Sequence, residues 1–344
     1  KRFQNLILTA NLFGKIEKKY LRMPNTILPP STLQIDCIAL FPGERSEGSF
    51  LAVASSDLTG NNWYSTLRIH DPLDTENDEA DFLCSTSGPC GMSAISWSKP
   101  CNALIAAEDS GDLKVYEVNN TDSCQQISAA ACLSDHSDIV NSVCSLEKST
   151  CAITGSWDKT VKLWDLQNES SSCVRTYEGH SRPVSSVAMN PTDDATFVSC
   201  SYDFSLKFWD VRTENAAEAM KLDYTPFCAT WSRANGNEIA VGHEEGVISL
   251  LDRRKLTKDE NVVKIDDSFP IHSISHSPKG NKIAFGSDDG VVRLMCLRDK
   301  SIYILGRHDD YCTTLAWEEL GAETLYSGGW DGQIITFDAA DLKT

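Results

Sequence analysis

Residues 136–167 read HSDIVNSVCSLEKSTCAITGSWDKTVKLWDLQ, and residues 180–212 repeat the pattern as HSRPVSSVAMNPTDDATFVSCSYDFSLKFWDVR. The aspartates Asp158 and Asp203 lie 45 residues apart, and the other matched positions keep an interval of 44 or 45 residues. Internal repeats of about 40–45 residues are typical of the four-stranded blades of a β-propeller. The interval therefore predicts an all-β fold built from repeated blades.

Each unit divides into short apolar or alternating stretches separated by turn residues, which is the pattern of β-strands. In the second unit these stretches are 184–188, 196–201 and 206–210, with Asp203 at the tight turn between the last two. Weaker copies of the unit cover residues 38–71, 95–118, 238–254, 282–298 and 324–338. The sequence therefore predicts seven blades.

A ring of blades must close, because an open ring would leave unpaired strand edges at both ends. The last unit supplies only three strands before residue 344. We expect its fourth strand to come from the N-terminal segment, either Phe3–Ala10 or Thr26–Leu28. Residues 1–32 are thus predicted to contribute the closing strand, and residues 33–344 to form the propeller.

Two blades share a polar set at matching positions, which is typical of WD repeats. The set contains a histidine, a hydroxyl, a turn aspartate and a tryptophan, namely His136, Thr154, Asp158 and Trp164 in blade three and His180, Ser199, Asp203 and Trp209 in blade four. A serine, a histidine and an aspartate together also suggest nucleophilic hydrolysis. Because the set recurs with threonine in place of serine, we interpret it as a structural hydrogen-bond network. Blade seven has Phe337 where the tryptophan would lie, so its network is expected to be shorter.

The charge balance argues against direct binding of nucleic acid. The chain has 31 Lys and Arg against 49 Asp and Glu, a net charge of -18, which would repel a phosphate backbone. No apolar run is long enough to cross a membrane. The stretch 71–81 is strongly acidic, and its candidate substrate-attracting residues are Asp74, Glu76, Asp78, Glu79 and Asp81. The alternative is that this stretch is a solvated loop between blades.

The 13 cysteines are scattered, with no C-x-x-C pair and no His cluster at zinc spacing. We expect structural thiols in a reducing compartment, the cytosol or the nucleus. No metal site and no cofactor are predicted, because the sequence has no phosphate-binding glycine loop and no acidic loop with metal-ligand spacing.

Several segments resemble one group of WD-repeat proteins, the methylosome protein 50 family. The matching segments are ISWSKPCNALIAAEDSGDLKVYEV (95–118), HSDIV (136–140), FVSCSYD (197–203), LKFWD (206–210), HEEGVISLLD (243–252) and GGWDGQ (328–333). The resemblance implies a non-enzymatic scaffold that binds the type II arginine methyltransferase. It also implies presentation of Arg-rich substrates such as histones and Sm proteins, with S-adenosylmethionine bound by the partner.

Residues 54–71, ASSDLTGNNWYSTLRIHD, are similar to the segment of that family in which a loop presents a tryptophan to the methyltransferase. The resemblance assigns this role to Trp63, with Asn62 and Tyr64 beside it. The loop is about five residues longer than its counterpart in blade three, so we expect it to extend beyond the blade. Alternatively, Trp63 shares strand parity with Leu67 and Ile69 and only extends their core face.

A second functional hypothesis is a substrate receptor of a cullin-RING ubiquitin ligase. Its W-D-x-R motif occurs as residues 209–212 and is partly echoed at residues 251–254. A propeller enzyme is a third hypothesis, but no acid, base or nucleophile stands outside the repeat pattern.

Overall fold

The computed structural model describes residues 6–8, 26–28, 33–42, 49–59, 62–71, 82–121, 124–167, 173–255, 262–265, 269–318 and 323–340. In these residues the regular structure is entirely β, and no helix could cross a membrane. The strands form seven antiparallel sheets. The predicted seven-bladed β-propeller is therefore confirmed.

Each sheet is one blade, whose strands follow one another from the inside of the ring outward. Two strands precede the blades, β1 (Leu6–Leu8) and β2 (Thr26–Leu28). Blade one contains β3 (Gln34–Pro42), β4 (Ser49–Thr59), β5 (Asn62–His70) and β6 (Cys84–Gly88). Blade two contains β7 (Met92–Ser98), β8 (Ala103–Glu108), β9 (Asp112–Thr121) and β10 (Cys124–Ser134). Blade three contains β11 (Val140–Ser145), β12 (Cys151–Ser156), β13 (Val161–Asp165) and β14 (Cys173–Tyr177). Blades four and five contain β15 (Val184–Met189), β16 (Thr196–Ser201), β17 (Ser205–Asp210) and β18 (Glu218–Lys221); β19 (Pro226–Trp231), β20 (Glu238–His243), β21 (Val247–Asp252) and β22 (Val262–Lys264). Blades six and seven contain β23 (Ile271–His276), β24 (Lys282–Ser287), β25 (Val291–Cys296) and β26 (Ile302–Arg307); β27 (Cys312–Trp317), β28 (Thr324–Gly329) and β29 (Ile334–Asp338).

The first strand of each blade lines the centre of the ring. Each of these strands contacts the next, and β27 of blade seven contacts β3 of blade one. At that seam the amide of Ile38 donates to Thr314 Oγ1 over 3.1 Å. The amide of Val187 donates to Ser142 Oγ over the same distance between blades three and four. The closing seam thus repeats a contact used elsewhere in the ring.

The two N-terminal strands pair with different blades. Strand β2 pairs with β29, with Ile27 opposite Ile335, and so forms the fourth strand of blade seven. Strand β1 pairs with β26 and adds a fifth strand to blade six. Of the two alternative donors to blade seven, Thr26–Leu28 is therefore the one that occupies the place, while the described part of the other, Leu6–Leu8, pairs with blade six.

The hydrophobic core lies between neighbouring blades. Tyr177 of blade three and Phe197 and Trp209 of blade four belong to one buried cluster. This close packing requires a small residue on β12, because a Cβ atom at Gly155 would lie only 2.6 Å from Val184 Cγ1. Side chains at each seam therefore hold two blades together.

Candidate functional site

The polar set of blade four forms a continuous chain of hydrogen bonds. Trp209 Nε1 donates to Ser199 Oγ over 2.7 Å, and Ser199 Oγ lies 2.7 Å from His180 Nε2. His180 Nδ1 lies 2.9 Å from Asp203 Oδ2. Because an indole N–H can only donate, the arrangement is satisfied when the serine hydroxyl donates to Nε2 and the Nδ1–H donates to the carboxylate.

Blade three repeats the chain, and blade seven shortens it. In blade three the distances are 2.7 Å for Trp164 Nε1 to Thr154 Oγ1, 2.7 Å for His136 Nε2 to Thr154 Oγ1 and 2.7 Å for His136 Nδ1 to Asp158 Oδ2. In blade seven His308 lies 2.8 Å from Ser327 Oγ and 3.0 Å from Asp331 Oδ1. Phe337 offers no donor there, so no indole takes part.

The network stabilises a turn and does not expose a nucleophile. Ser199 is fully buried, with no accessible surface through which a substrate could reach its hydroxyl. Burial alone would raise the pKa of Asp203, but hydrogen bonds from His180 and Ser205 outweigh it and hold that pKa below its usual range. The carboxylate therefore remains charged and caps the tight turn.

Blades two and six replace the network with ion pairs that sequence comparison missed. Glu108 Oε1 lies 2.7 Å from Lys114 Nζ in blade two, and Arg293 Nη1 donates to Asp289 over 3.0 Å in blade six. Both acids lie at or after the end of the second strand, and both cations lie on the third strand. Searching this part of each blade for an acid and a cation would have found them.

Blade one differs from the other blades in its hairpin between β4 and β5. Val53 pairs with Arg68, 15 residues along the chain, whereas Thr154 pairs with Lys162 in blade three, eight residues along. The extension is therefore seven residues, not five. It is also not a loop, because strand pairing continues to Thr59 and Asn62. Paired backbone gives this projection a defined shape.

Aromatic side chains occupy both faces of the projecting hairpin. Trp63 is 47% exposed and Tyr64 is 44% exposed, and Asn62 lies at the end of the pairing. Trp63 shares strand parity with Leu67 and Ile69, which are fully buried. Its ring lies beyond the end of the buried face and borders the mouth of the central channel. The candidate acidic patch, Asp74, Glu76, Asp78, Glu79 and Asp81, lies outside the described residues.

The W-D-x-R motif is accounted for by local contacts. Trp209 is buried, and Arg212 Nε donates to Asp210 Oδ1 over 2.8 Å. Arg254 makes the matching contact with Asp252 over 3.0 Å in blade five. The two Asp–Arg pairs therefore form a repeated ion pair on the surface.

The repeats also match a known family by sequence. The family described as WD domain, G-beta repeat, matches residues 128–165, 171–210 and 261–294, and the first two matches end on the Trp-Asp pairs of blades three and four. These three segments are similar to WD repeats. The hydrogen-bonded Trp164 and Trp209 lie in the first two of these segments.

Individual relatives match this chain over very different lengths. Methylosome protein WDR77 of Xenopus laevis is 27% identical over 304 residues, which are 85% of this chain and 86% of the relative. Transcriptional corepressor LEUNIG_HOMOLOG of Arabidopsis thaliana is 26% identical over 68% of this chain and 29% of its own length. Ribosome biogenesis protein WDR12 homolog of Drosophila mojavensis is 32% identical over 50% of this chain and 40% of its own length. The resemblance to the methylosome subunit is thus confirmed across most of both proteins.

Proposed function

We propose that this chain is a non-catalytic scaffold that binds a type II protein arginine methyltransferase through the blade-one hairpin. In the complex it would help to present Arg-rich substrates such as histones and Sm proteins, and the methyltransferase would bind S-adenosylmethionine. The observation that carries the proposal is the exposed Trp63 on a paired hairpin extension, in a chain similar to a methylosome protein over most of its length.

The hairpin has the physical properties of an interface anchor. A tryptophan offers a large apolar area with few rotatable bonds, and truncating such a residue at an interface often costs about 2 kcal/mol or more. Nearly half of the Trp63 side chain is exposed in the isolated chain. A partner that covers this ring gains apolar burial without first rearranging the backbone, because strand pairing already fixes the hairpin.

The acidic charge supports the proposed role with basic substrates. A net charge of -18 attracts Arg-rich segments and raises their rate of encounter. Within the proposal, the stretch containing Asp74, Glu76, Asp78, Glu79 and Asp81 contributes to this attraction. A basic histone-tail peptide should bind more weakly as salt increases, and binding that is insensitive to salt would contradict this part of the proposal.

Affinity purification from the native source tests the partner directly. We expect the wild-type chain to recover an arginine methyltransferase and Trp63→Ala to lose it. Trp157→Ala is the matched control, since Trp157 is also an exposed tryptophan, at 42%. Recovery of a ligase adaptor that is lost on Arg212→Ala would favour the ubiquitin-ligase receptor instead. We propose the cytosol and the nucleus as the compartments of this complex, on the basis of the scattered cysteine pattern.

A further inference from the structure

One position of each innermost strand faces the central channel. The strand registers place these residues at equivalent points, and all seven line one cavity of about 580 Å³: Asp36, Ser93, Asn141, Ser185, Phe227, His272 and Thr313. Asp36 is the one carboxylate among the seven. It lies near Ser56 and Trp330, whose side chains hydrogen-bond to it.

The surroundings of the Asp36 carboxylate disfavour its charged form. Its Oδ2 atom is buried and has no hydrogen-bond partner among the described residues. Burial raises the pKa of Asp36 to about 6, and the charge of Asp109 adds to the effect. Burial also raises the pKa of Asp109, which lines the same cavity. Acids whose pKa is raised by burial and that line a cavity are a common feature of binding sites.

Aromatic rings form a continuous arc across four blades at this mouth. Tyr202 and Phe227 have ring centroids 5.6 Å apart, and Phe227 and His272 are 5.3 Å apart. His272 and Tyr311 follow at 6.4 Å, and Tyr311 and Trp330 at 5.2 Å. The arc ends at Trp330, which also contacts Asp36. The Asp36 carboxylate therefore lies beside the aromatic arc.

We propose that this channel mouth binds the arginine side chain of a basic peptide, with Asp36 and Asp109 as acceptors and the aromatic arc as the stacking surface. A guanidinium is planar and stacks on aromatic rings, and it presents several N–H donors to carboxylates at once. It would neutralise the negative charges of Asp36 and Asp109, which line the same cavity. An ammonium group also carries positive charge, but it lacks the flat surface that matches the arc.

Arginine binding at the channel mouth does not require the methyltransferase. The site is built from residues of this chain, and Trp63 only borders it. Arginine binding can therefore be measured on the isolated full chain. Loss of methyltransferase recovery and loss of arginine binding are separate results.

Ligand-observed NMR titration with acetyl-Gly-Arg-Gly-amide tests the site. The matched probes are the citrulline tripeptide, which has nearly the same shape without the charge, and the lysine tripeptide. We expect saturable binding of the arginine probe, at least fivefold weaker binding of the lysine probe and no saturable binding of the citrulline probe. Asp36→Asn should weaken arginine binding at least tenfold. Glu178→Gln, which removes an exposed charge outside the cavity, should change it less than twofold.

The stability of Asp36→Asn and the binding affinity of Asp109→Asn serve as controls. Asp36→Asn should be folded and at least as stable as the wild type at pH 8, so its loss of binding cannot be ascribed to unfolding. Asp109→Asn should weaken binding in the same direction. Equal binding of the arginine and citrulline probes, or unchanged binding by Asp36→Asn, would overturn the proposal. Equal binding of the lysine probe would overturn the assignment to a guanidinium.

Discussion

Blades three and four are near copies of each other, whereas blade one departs from both. The two copies bury the same histidine, hydroxyl, aspartate and tryptophan in hydrogen-bond chains whose distances agree within 0.2 Å. Blade one instead has a hairpin seven residues longer than that of blade three, with two exposed aromatic rings. A feature that recurs in several blades supports the ring itself, and a feature confined to one blade is available for a partner.

Truncating one tryptophan in each region should have very different consequences for stability. Trp209 is 1% exposed and hydrogen-bonded, so Trp209→Ala should lower the free energy of unfolding by about 3–5 kcal/mol. Trp63→Ala removes a half-exposed ring and should change it by less than about 0.5 kcal/mol. Urea unfolding measures both. A similar loss in the two variants would mean that Trp63 belongs to the core.

Removing the closing strand probes the ring as a whole. Deletion of residues 1–32 removes β2 and exposes the edge of β29, so we expect the melting temperature to fall by about 3–4 °C, equivalent to roughly 2–3 kcal/mol in a domain of this size. Deletion of residues 1–10 removes β1, the fifth strand of blade six, but leaves β2 in place, and is the matched control. Thermal unfolding that is equally affected by the two deletions would contradict the role of β2.

The repeat architecture could be predicted from sequence because each blade reuses one spacing. Asp158 and Asp203 mark the same turn, and the interval between them is enough to reveal the period. The channel site and the blade-one hairpin could be predicted only in part. Asp36 lies in an ordinary apolar strand, and only the circular arrangement brings it beside Asp109 and Trp330, residues far away in sequence. The paired form of the blade-one hairpin also depends on register, which loop length alone does not determine.

Replacing a carboxylate should have opposite effects on stability at Asp36 in the channel and at Asp203 in the repeated network. The pKa of Asp36 is about 6 in the folded state, against an ordinary value of 3.8. Ionisation of Asp36 therefore lowers the free energy of unfolding as the pH rises from about 3.8 to about 6, and the full loss is present at higher pH. Asp36→Asn should therefore raise stability by about 1–3 kcal/mol at pH 8 and change it little at pH 3.5. Asp203→Asn should lower stability at pH 8, because the pKa of Asp203 is depressed and its charge stabilises the fold above the unfolded pKa. Urea unfolding at pH 8 and pH 3.5 measures the stability of both variants. If both variants were stabilised, or both destabilised, at pH 8, the proposed difference between Asp36 and Asp203 would be contradicted.

The smallest expected effect concerns the tight turn of blade three. Lys159 has a φ of 75°, and the corresponding turns of blades six and seven have glycine, Gly290 and Gly332, in the same left-handed region. Lys159→Gly should raise the free energy of unfolding by about 0.5–1 kcal/mol, because glycine adopts this conformation without strain. Chemical unfolding measures the change. A loss of stability would show that the exposed lysine contributes more than its backbone costs.

The most direct test of the scaffold hypothesis is the affinity of the purified chain for a purified type II arginine methyltransferase. Isothermal titration should give a dissociation constant that Trp63→Ala raises about 30-fold, the equivalent of about 2 kcal/mol, while Trp157→Ala changes it less than about threefold. Both variants should keep the melting temperature of the wild type. Equal affinities for wild type and Trp63→Ala would contradict the assignment of the blade-one hairpin as the anchor.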